Sequence, residues 1–285
     1  MPELPEVETI VRNLRESLIG RTFTGVSVFW SRAVARPSVD ALRQLLPGLQ
    51  ILSIQRRAKY LVFELGRAPN QAASDYLLIH LKMSGRLDVA LHEKPLERHD
   101  RVIFDLDDGR QLRFNDTRKF GRVCLVADPE EVTGQLGPEP LGAGFTPAAF
   151  KELIAGRAGR LKPLLLDQTF VAGLGNIYAD EALWLARLHP LRRADSLRAA
   201  EVRALYRGIR RALRDGLRNN GASFDRVYSG GRYQHNFRVY DRAGQACRRC
   251  RQPIRRIVVG QRGTHFCANC QRGPRATRKR PQSEV

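Results

Sequence analysis

The sequence predicts an α+β protein: an antiparallel β-sandwich behind one leading helix, then a helical domain that ends in a β-hairpin between two cysteine pairs. Three observations carry this. Apolar residues at Leu4, Val7, Val11, Leu14 and Leu18 recur at spacings of three and four, the period of one helix face. Between residues 22 and 127 the chain is a series of strand-type runs, broken only by a short helical stretch near Val39 to Leu46. Beyond residue 134 the pattern turns helical, and four of the five cysteines fall after residue 246.

Taken in order, the first helix is expected from about Pro5 to Ile19. Proline suits a first turn, where its missing N–H is not needed, and Gly20 supplies the stop. The strand runs are TFTGVSVFW, LQILSIQ, KYLVFEL, DYLLIHLKM, RVIFDL, RQLRF and GRVCLVA. Asp108-Gly109 joins RVIFDL to RQLRF as a tight hairpin. Cys124 reads as a buried strand residue. The Gly- and Pro-rich stretch GQLGPEPLGAGFTP, residues 134–147, reads as a linker between domain 1–133 and the helices. Thr146-Pro147 caps PAAFKELIAG; LKPLLLDQ, NIYADEALWLARL and a long helix from about Leu197 to Arg218 follow. The helical domain is expected over 148–239, a metal-binding hairpin over 240–273, and a disordered basic tail over 274–285.

Composition narrows the function. A chain of 285 residues with 42% hydrophobic content suits two folded domains. No run approaches the roughly 18 apolar residues of a membrane span, and the acidic N-terminus is unlike a signal peptide, so a soluble, cytoplasmic protein is expected. A net charge of +20 favours a polyanionic partner; from Arg242 onward there are twelve basic residues and one acid, Glu284. The spacing Cys247-x2-Cys250-x16-Cys267-x2-Cys270 suits four thiolates around one Zn²⁺, with RIVVGQRGTHF as the hairpin between the knuckles. With every position filled by sulfur, such a metal is structural.

The opening MPELPEVETI poses a separate question. Position 2 is small, so removal of Met1 leaves Pro2 as a free secondary amine, a good carbonyl nucleophile. The helix behind it favours the neutral amine, while Glu3 opposes that effect.

PELPEVET, RRAKY, HLKMSG, NDTRKFGR, LLLDQTFVAGLGNIYADEAL and the cysteine hairpin together resemble the formamidopyrimidine-DNA glycosylase family, in the family's order and from Pro2 to about Gln271. The resemblance implies a helix-two-turns-helix domain and a bifunctional glycosylase/lyase that excises oxidised purines from double-stranded DNA, then cuts the strand by β,δ-elimination. The implied nucleophile is Pro2, whose attack on C1′ leaves a cationic iminium. Glu3 then shuttles protons to the sugar ring oxygen, Glu6 orients the site, and Lys59 and Arg262 hold phosphates beside the scission. Met83, Arg118 and Phe120 are implied to fill the void left by a flipped nucleotide. His99, Arg118, Lys162, Asn176 and Tyr240 are implied DNA contacts. Glu8 reads as helix-dipole compensation. The implied partner is duplex DNA with an oxidised purine or abasic site, met by a monomer without membrane contact.

HLKMSG with NDTRKFGR favours the purine enzyme over its sister activity on oxidised pyrimidines, that of endonuclease VIII. Pro2, Glu3, Lys59 and Arg262 argue against a non-catalytic zinc protein that binds bent DNA. The stretch 222–234, ASFDRVYSGGRYQ with Asp225, matches no residue pattern that would set base preference.

Overall fold

The computed structural model describes residues 1–67, 72–223 and 230–273. Asp225 and the tail beyond residue 273 lie outside them. The chain divides into two compact units: Met1–Gly142 with Gln168–Gly175 and Leu213–Asn236, and Ala143–Asp167 with Asn176–Ala212 and Phe237–Val285.

In the first unit, α1 (Leu4–Leu18) precedes β1 (Phe23–Val28), β2 (Val34–Arg36), α2 (Val39–Leu45), β3 (Gln50–Arg57), β4 (Tyr60–Gly66), β5 (Asp75–His80), β6 (Gly85–Leu91), β7 (Asp100–Leu106), β8 (Arg110–Asp116) and β9 (Arg122–Val126). One sheet has the order β1-β7-β8-β6 and the other β2-β9-β5-β4-β3. Val7, Val11, Phe63, Ile79, Phe104 and Phe114 belong to one buried cluster. The α1 stripe thus closes the same apolar core as the strands, and it is this burial, more than propensity, that holds the helix. Gly109 takes φ +79 in the β7–β8 turn, as the Asp-Gly signal requires. Cys124 is buried on β9.

Two details depart from the sequence reading. All pairings in the sandwich are antiparallel except the short β2–β9 pair, which is parallel. The run DYLLIHLKM does not continue as a strand to Met83: β5 ends at His80, Lys82 adopts φ +51, and Gly85 N donates to Leu81 O at 2.9 Å. A left-handed residue cannot stay in the ladder, so the chain turns there and returns as β6, which pairs with β8.

α3 (Glu130–Thr133) completes the N-terminal part of the first unit, and the second unit holds α4 (Pro147–Ile154), α5 (Leu161–Leu166), α6 (Asn176–Ala186), β10 (Arg255–Val259) and β11 (Arg262–Phe266). α7 (Ala199–Arg218) crosses from the second unit into the first. Thr146 Oγ1 caps α4 by accepting from Ala149 N at 3.1 Å. No helix among the described residues is long and apolar enough to cross a membrane.

Candidate active site and metal centre

The N-terminal turn of α1 is built around two buried carboxylates. Glu3 and Glu6 are each 2% exposed. They form a reciprocal capping box in which Glu3 N donates to Glu6 Oε2 at 2.8 Å. Both carboxylates also reach outward. Glu3 Oε2 accepts from Gly175 N at 2.8 Å, and Glu6 Oε1 accepts from Ala222 N at 2.7 Å. Glycine is required at both approaches: a Cβ on Gly175 would lie 2.5 Å from Glu3 Oε1, and one on Gly221 would lie 2.6 Å from Glu6 Oε1. Pro2, buried beside Glu3, is therefore held next to a carboxylate whose position is fixed from two sides.

Lys59 converges on the same backbone. Its ammonium, 5% exposed, donates to Leu174 O at 2.6 Å. Gln168 Nε2 donates to that oxygen at 2.8 Å, and Gln168 Oε1 accepts from Gly173 N at 3.0 Å. Leu4 N donates to Gly173 O at 3.1 Å. The Gly-Leu-Gly segment is thus tied both to α1 and to Lys59. The β3–β4 turn that presents Lys59 is held in turn by Glu139, which accepts from Ala58 N at 2.5 Å and pairs with Arg56 at 2.9 Å. Glu8 pairs with the same Arg56 at 3.1 Å, a more specific task than dipole compensation.

His80 faces Lys59 and Lys82 and stacks edge-on against Tyr60 at 4.6 Å. Burial, then those two cations, push its pKa down from 6.5 to about 3, so the ring is neutral and Nδ1 accepts from Lys82 N at 2.9 Å. An unfolded His80 takes up its proton near pH 6.5, whereas the folded one resists until about pH 3. The unfolded state therefore binds more protons in that window, and stability falls as pH drops through it. At about 1.4 kcal/mol per pH unit, roughly 2 kcal/mol should be lost between pH 6.5 and 5. Denaturant midpoints should show this loss reduced in His80→Asn, which keeps an acceptor for Lys82 N; an equal loss in the variant would assign the acid sensitivity elsewhere.

A second cluster organises residues 116–121. Asp116 is 1% exposed; its Oδ1 accepts from Ser84 Oγ at 2.5 Å and from Arg118 N at 3.2 Å, and its Oδ2 accepts from Gly121 N at 2.8 Å. This buried carboxylate shapes the loop and ties it to the turn carrying Met83. At its tip the Arg118 guanidinium lies 5.2 Å over the Phe120 ring, which is 48% exposed. An aromatic ring left in solvent and backed by a cation is a ready wedge between bases.

In the second unit, α6 is apolar on nearly every side yet contains two adjacent buried acids. Asp180 Oδ1 pairs with Lys162 Nζ at 2.5 Å, and its Oδ2 accepts from His265 N on β11 at 2.8 Å. Glu181, wholly buried, has its carboxyl pushed up by desolvation and accepts from Arg238 N, Val239 N and Tyr240 N at 2.9, 2.9 and 3.1 Å. Asn176 Nδ2 donates to Gly263 O at 2.9 Å. One helix thereby positions both the hairpin carrying exposed Arg262 and the segment carrying Tyr240. The ring of Tyr240 packs edge-on against His265 at 5.3 Å.

The four cysteines converge beside this helix. Their sulfurs all lie within 4.8 Å of one another, with Cys247 to Cys270 at 4.0 Å and Cys250 to Cys267 at 3.4 Å. A tetrahedron with Zn–S of about 2.3 Å has edges of about 3.8 Å, so the sulfurs fit one zinc ion. Backbone N–H groups support two of them: Arg249 N to Cys247 Sγ at 3.4 Å and Cys270 N to Cys267 Sγ at 3.5 Å. Gln271 fastens the second knuckle to the turn just past α6, accepting from Cys267 N at 2.8 Å and donating to Leu188 O at 2.9 Å.

Three family models match this chain: the formamidopyrimidine-DNA glycosylase N-terminal domain over residues 1–123, the H2TH domain of the same glycosylase over 136–227, and a zinc finger found in FPG and IleRS over 244–273. The chain belongs to the formamidopyrimidine-DNA glycosylase family. A formamidopyrimidine-DNA glycosylase of Herpetosiphon aurantiacus is 44% identical over 278 residues, covering 95% of this chain and all of the relative. One from Chloroflexus aurantiacus is 46% identical over 277 residues, covering 95% and 98%. Lactococcus lactis Fpg bound to DNA containing N7-benzyl-Fapy-dG superposes with a TM-score of 0.88 at 36% identity, covering 95% of this chain and all of that one. The same enzyme with abasic-site DNA gives 0.87.

Lys162, an expected DNA contact, is fully buried in this structure, and besides Asp180 it donates to Asn176 O at 2.9 Å. It anchors the first turn of α6, a structural task whose loss would leave Asp180 as a buried charge. His99 is half-buried and lies 3.0 Å from Arg101. The sequence reading had passed over Gln168, Asp116, Ser84, Asp180 and Glu181. A signal existed for the last two, since adjacent acids inside the apolar run of α6 need buried partners.

Proposed function

We propose that the protein is a bifunctional DNA glycosylase/AP lyase acting on oxidised purines, with the Pro2 nitrogen as nucleophile once Met1 is removed. The observation that carries the reading is the anchoring of Glu3 by Gly175 N, on the segment that also receives the Lys59 ammonium.

The nitrogen lone pair attacks C1′ as the N-glycosidic bond breaks, and the base leaves with its electron pair. The attacking nitrogen then carries a proton, which passes to the Glu3 carboxylate and from there to the ring oxygen as the sugar opens. The resulting iminium is an electron sink. Loss of a C2′ proton expels the 3′ phosphate, and a second elimination expels the 5′ phosphate. Lys59 and Arg262 hold the phosphates in these steps, while Asn176 and Tyr240 on the second unit, with His99 on the first, set the backbone. Zinc on the four cysteines takes no part in bond breaking and keeps the hairpin folded. The test is product analysis on a duplex with 8-oxoguanine opposite cytosine: free 8-oxoguanine and phosphate at both strand ends are expected, and base release from an uncut strand would exclude the lyase half.

Arg118, Phe120 and Met83 fill the void in this reading, and Arg118 reads the orphaned base. A guanidinium offers donors and no acceptor, which suits the O2 and N3 acceptors of cytosine and opposes the N6 amino group of adenine. The lost hydrogen bonds are on the order of 1–3 kcal/mol, or about one to two decades of rate. Arg118→Ala should therefore slow excision opposite cytosine and flatten the cytosine-to-adenine ratio in single-turnover assays. An unchanged ratio would place partner choice in other residues.

A further inference from the structure

α7 carries a row of cations that the roles above leave unused. Arg203, Arg207, Arg211, Arg214 and Arg218 are all exposed, and spacings of four, four, three and four put them on one face. The opposite face is taken by the core, where Val202, Leu205, Ile209, Ala212 and Leu213 are buried. At 1.5 Å per residue the row extends about 22 Å. Two acids lie on this helix. Glu201 is engaged at 3.3 Å by Arg192 and by Arg198, and Asp215 lies 3.5 Å from Arg218, so the helix itself sets two acids against the five arginines.

Like charges three or four residues apart weaken a helix, and a face that needs only hydration alternates its signs. A helix that lies on a membrane surface needs its apolar residues free to enter the lipid; those of α7 are in the core. Duplex DNA presents about one charge per 1.7 Å of axis, so a row of this length spans roughly a dozen phosphates. We propose that this arginine face is a second duplex-binding surface, which holds undamaged DNA through its phosphates and is separate from the residues that act on the lesion.

The test uses the full chain with Arg203, Arg207, Arg211 and Arg214 all changed to Gln, which retains helix propensity, beside a matching set of Lys substitutions. On long undamaged duplex, the slope of log K against log salt should become shallower by roughly 3 to 4 in the Gln set, at about 0.9 per phosphate contact. The Lys set should keep the wild-type slope. Wild-type protein already bound to an immobilised short lesion duplex should capture a second, labelled duplex, and the Gln set should capture at least about tenfold less. Single-turnover excision from a saturating short duplex should be the same in all three proteins. Equal slopes or equal capture would overturn the proposal, as would row-dependent binding to phosphatidylserine vesicles stronger than that to duplex. Failure of every protein to excise any lesion would sink the enzymatic reading and leave slope and capture interpretable.

Discussion

A protein that retains Met1 should lose base release and strand cleavage together while binding lesion DNA with nearly unchanged affinity. Acylation turns the Pro2 nitrogen into an amide, whose lone pair is delocalised and cannot attack C1′. The anchors around it persist: with Met1 present and 42% exposed, Glu3 still accepts from Gly175 N, and Glu6 from Ala222 N. The site is therefore expected to stay intact, with only the proposed nucleophile blocked. A loss of roughly 10³-fold or more is expected, equivalent to about 4 kcal/mol of barrier. Single-turnover assays on protein whose mass shows an intact Met1 provide the check, and normal turnover by that protein would exclude Pro2 as the attacking group.

Cys267→Ala should remove zinc and DNA affinity in one step. Cys267 is buried, and its backbone N–H is clamped by Gln271, which is itself tied to Leu188 just past α6. The hairpin β10–β11 has only five residues in each strand, too few to fold without its metal. Once it opens, Arg262 and Gly263 lose their place against Asn176. Affinity for lesion duplex should fall at least about 100-fold, or roughly 2.7 kcal/mol. The sandwich, which has its own core, should stay folded. Metal analysis, anisotropy binding and circular dichroism test the three parts, and zinc-free protein that binds DNA normally would contradict the first two.

Much of this molecule was readable from local signals. The α1 stripe, the Asp108-Gly109 turn, Thr146 as a cap and the cysteine spacing each have a cause within a few residues, and each has its expected place in the structure. β6 was missed although Leu87, Val89 and Leu91 alternate with Arg86 and Asp88, because the strand before it was read through the left-handed turn at Lys82. Long-range partners were not readable. Nothing near Lys162 in sequence announces Asp180, and nothing near Glu6 announces Ala222, 216 positions away. A lysine beside apolar residues reads as surface until its partner is known. The same holds for Asp116, whose role in shaping the Arg118 loop depends on Ser84 from a separate turn.

The most direct measurement is borohydride reduction during reaction with a duplex containing 8-oxoguanine opposite cytosine, followed by peptide mapping. The expected result is a covalent DNA adduct on Pro2 of protein that has lost Met1, absent when Met1 is retained. An adduct on a lysine, or excision that leaves no trappable intermediate, would contradict the account.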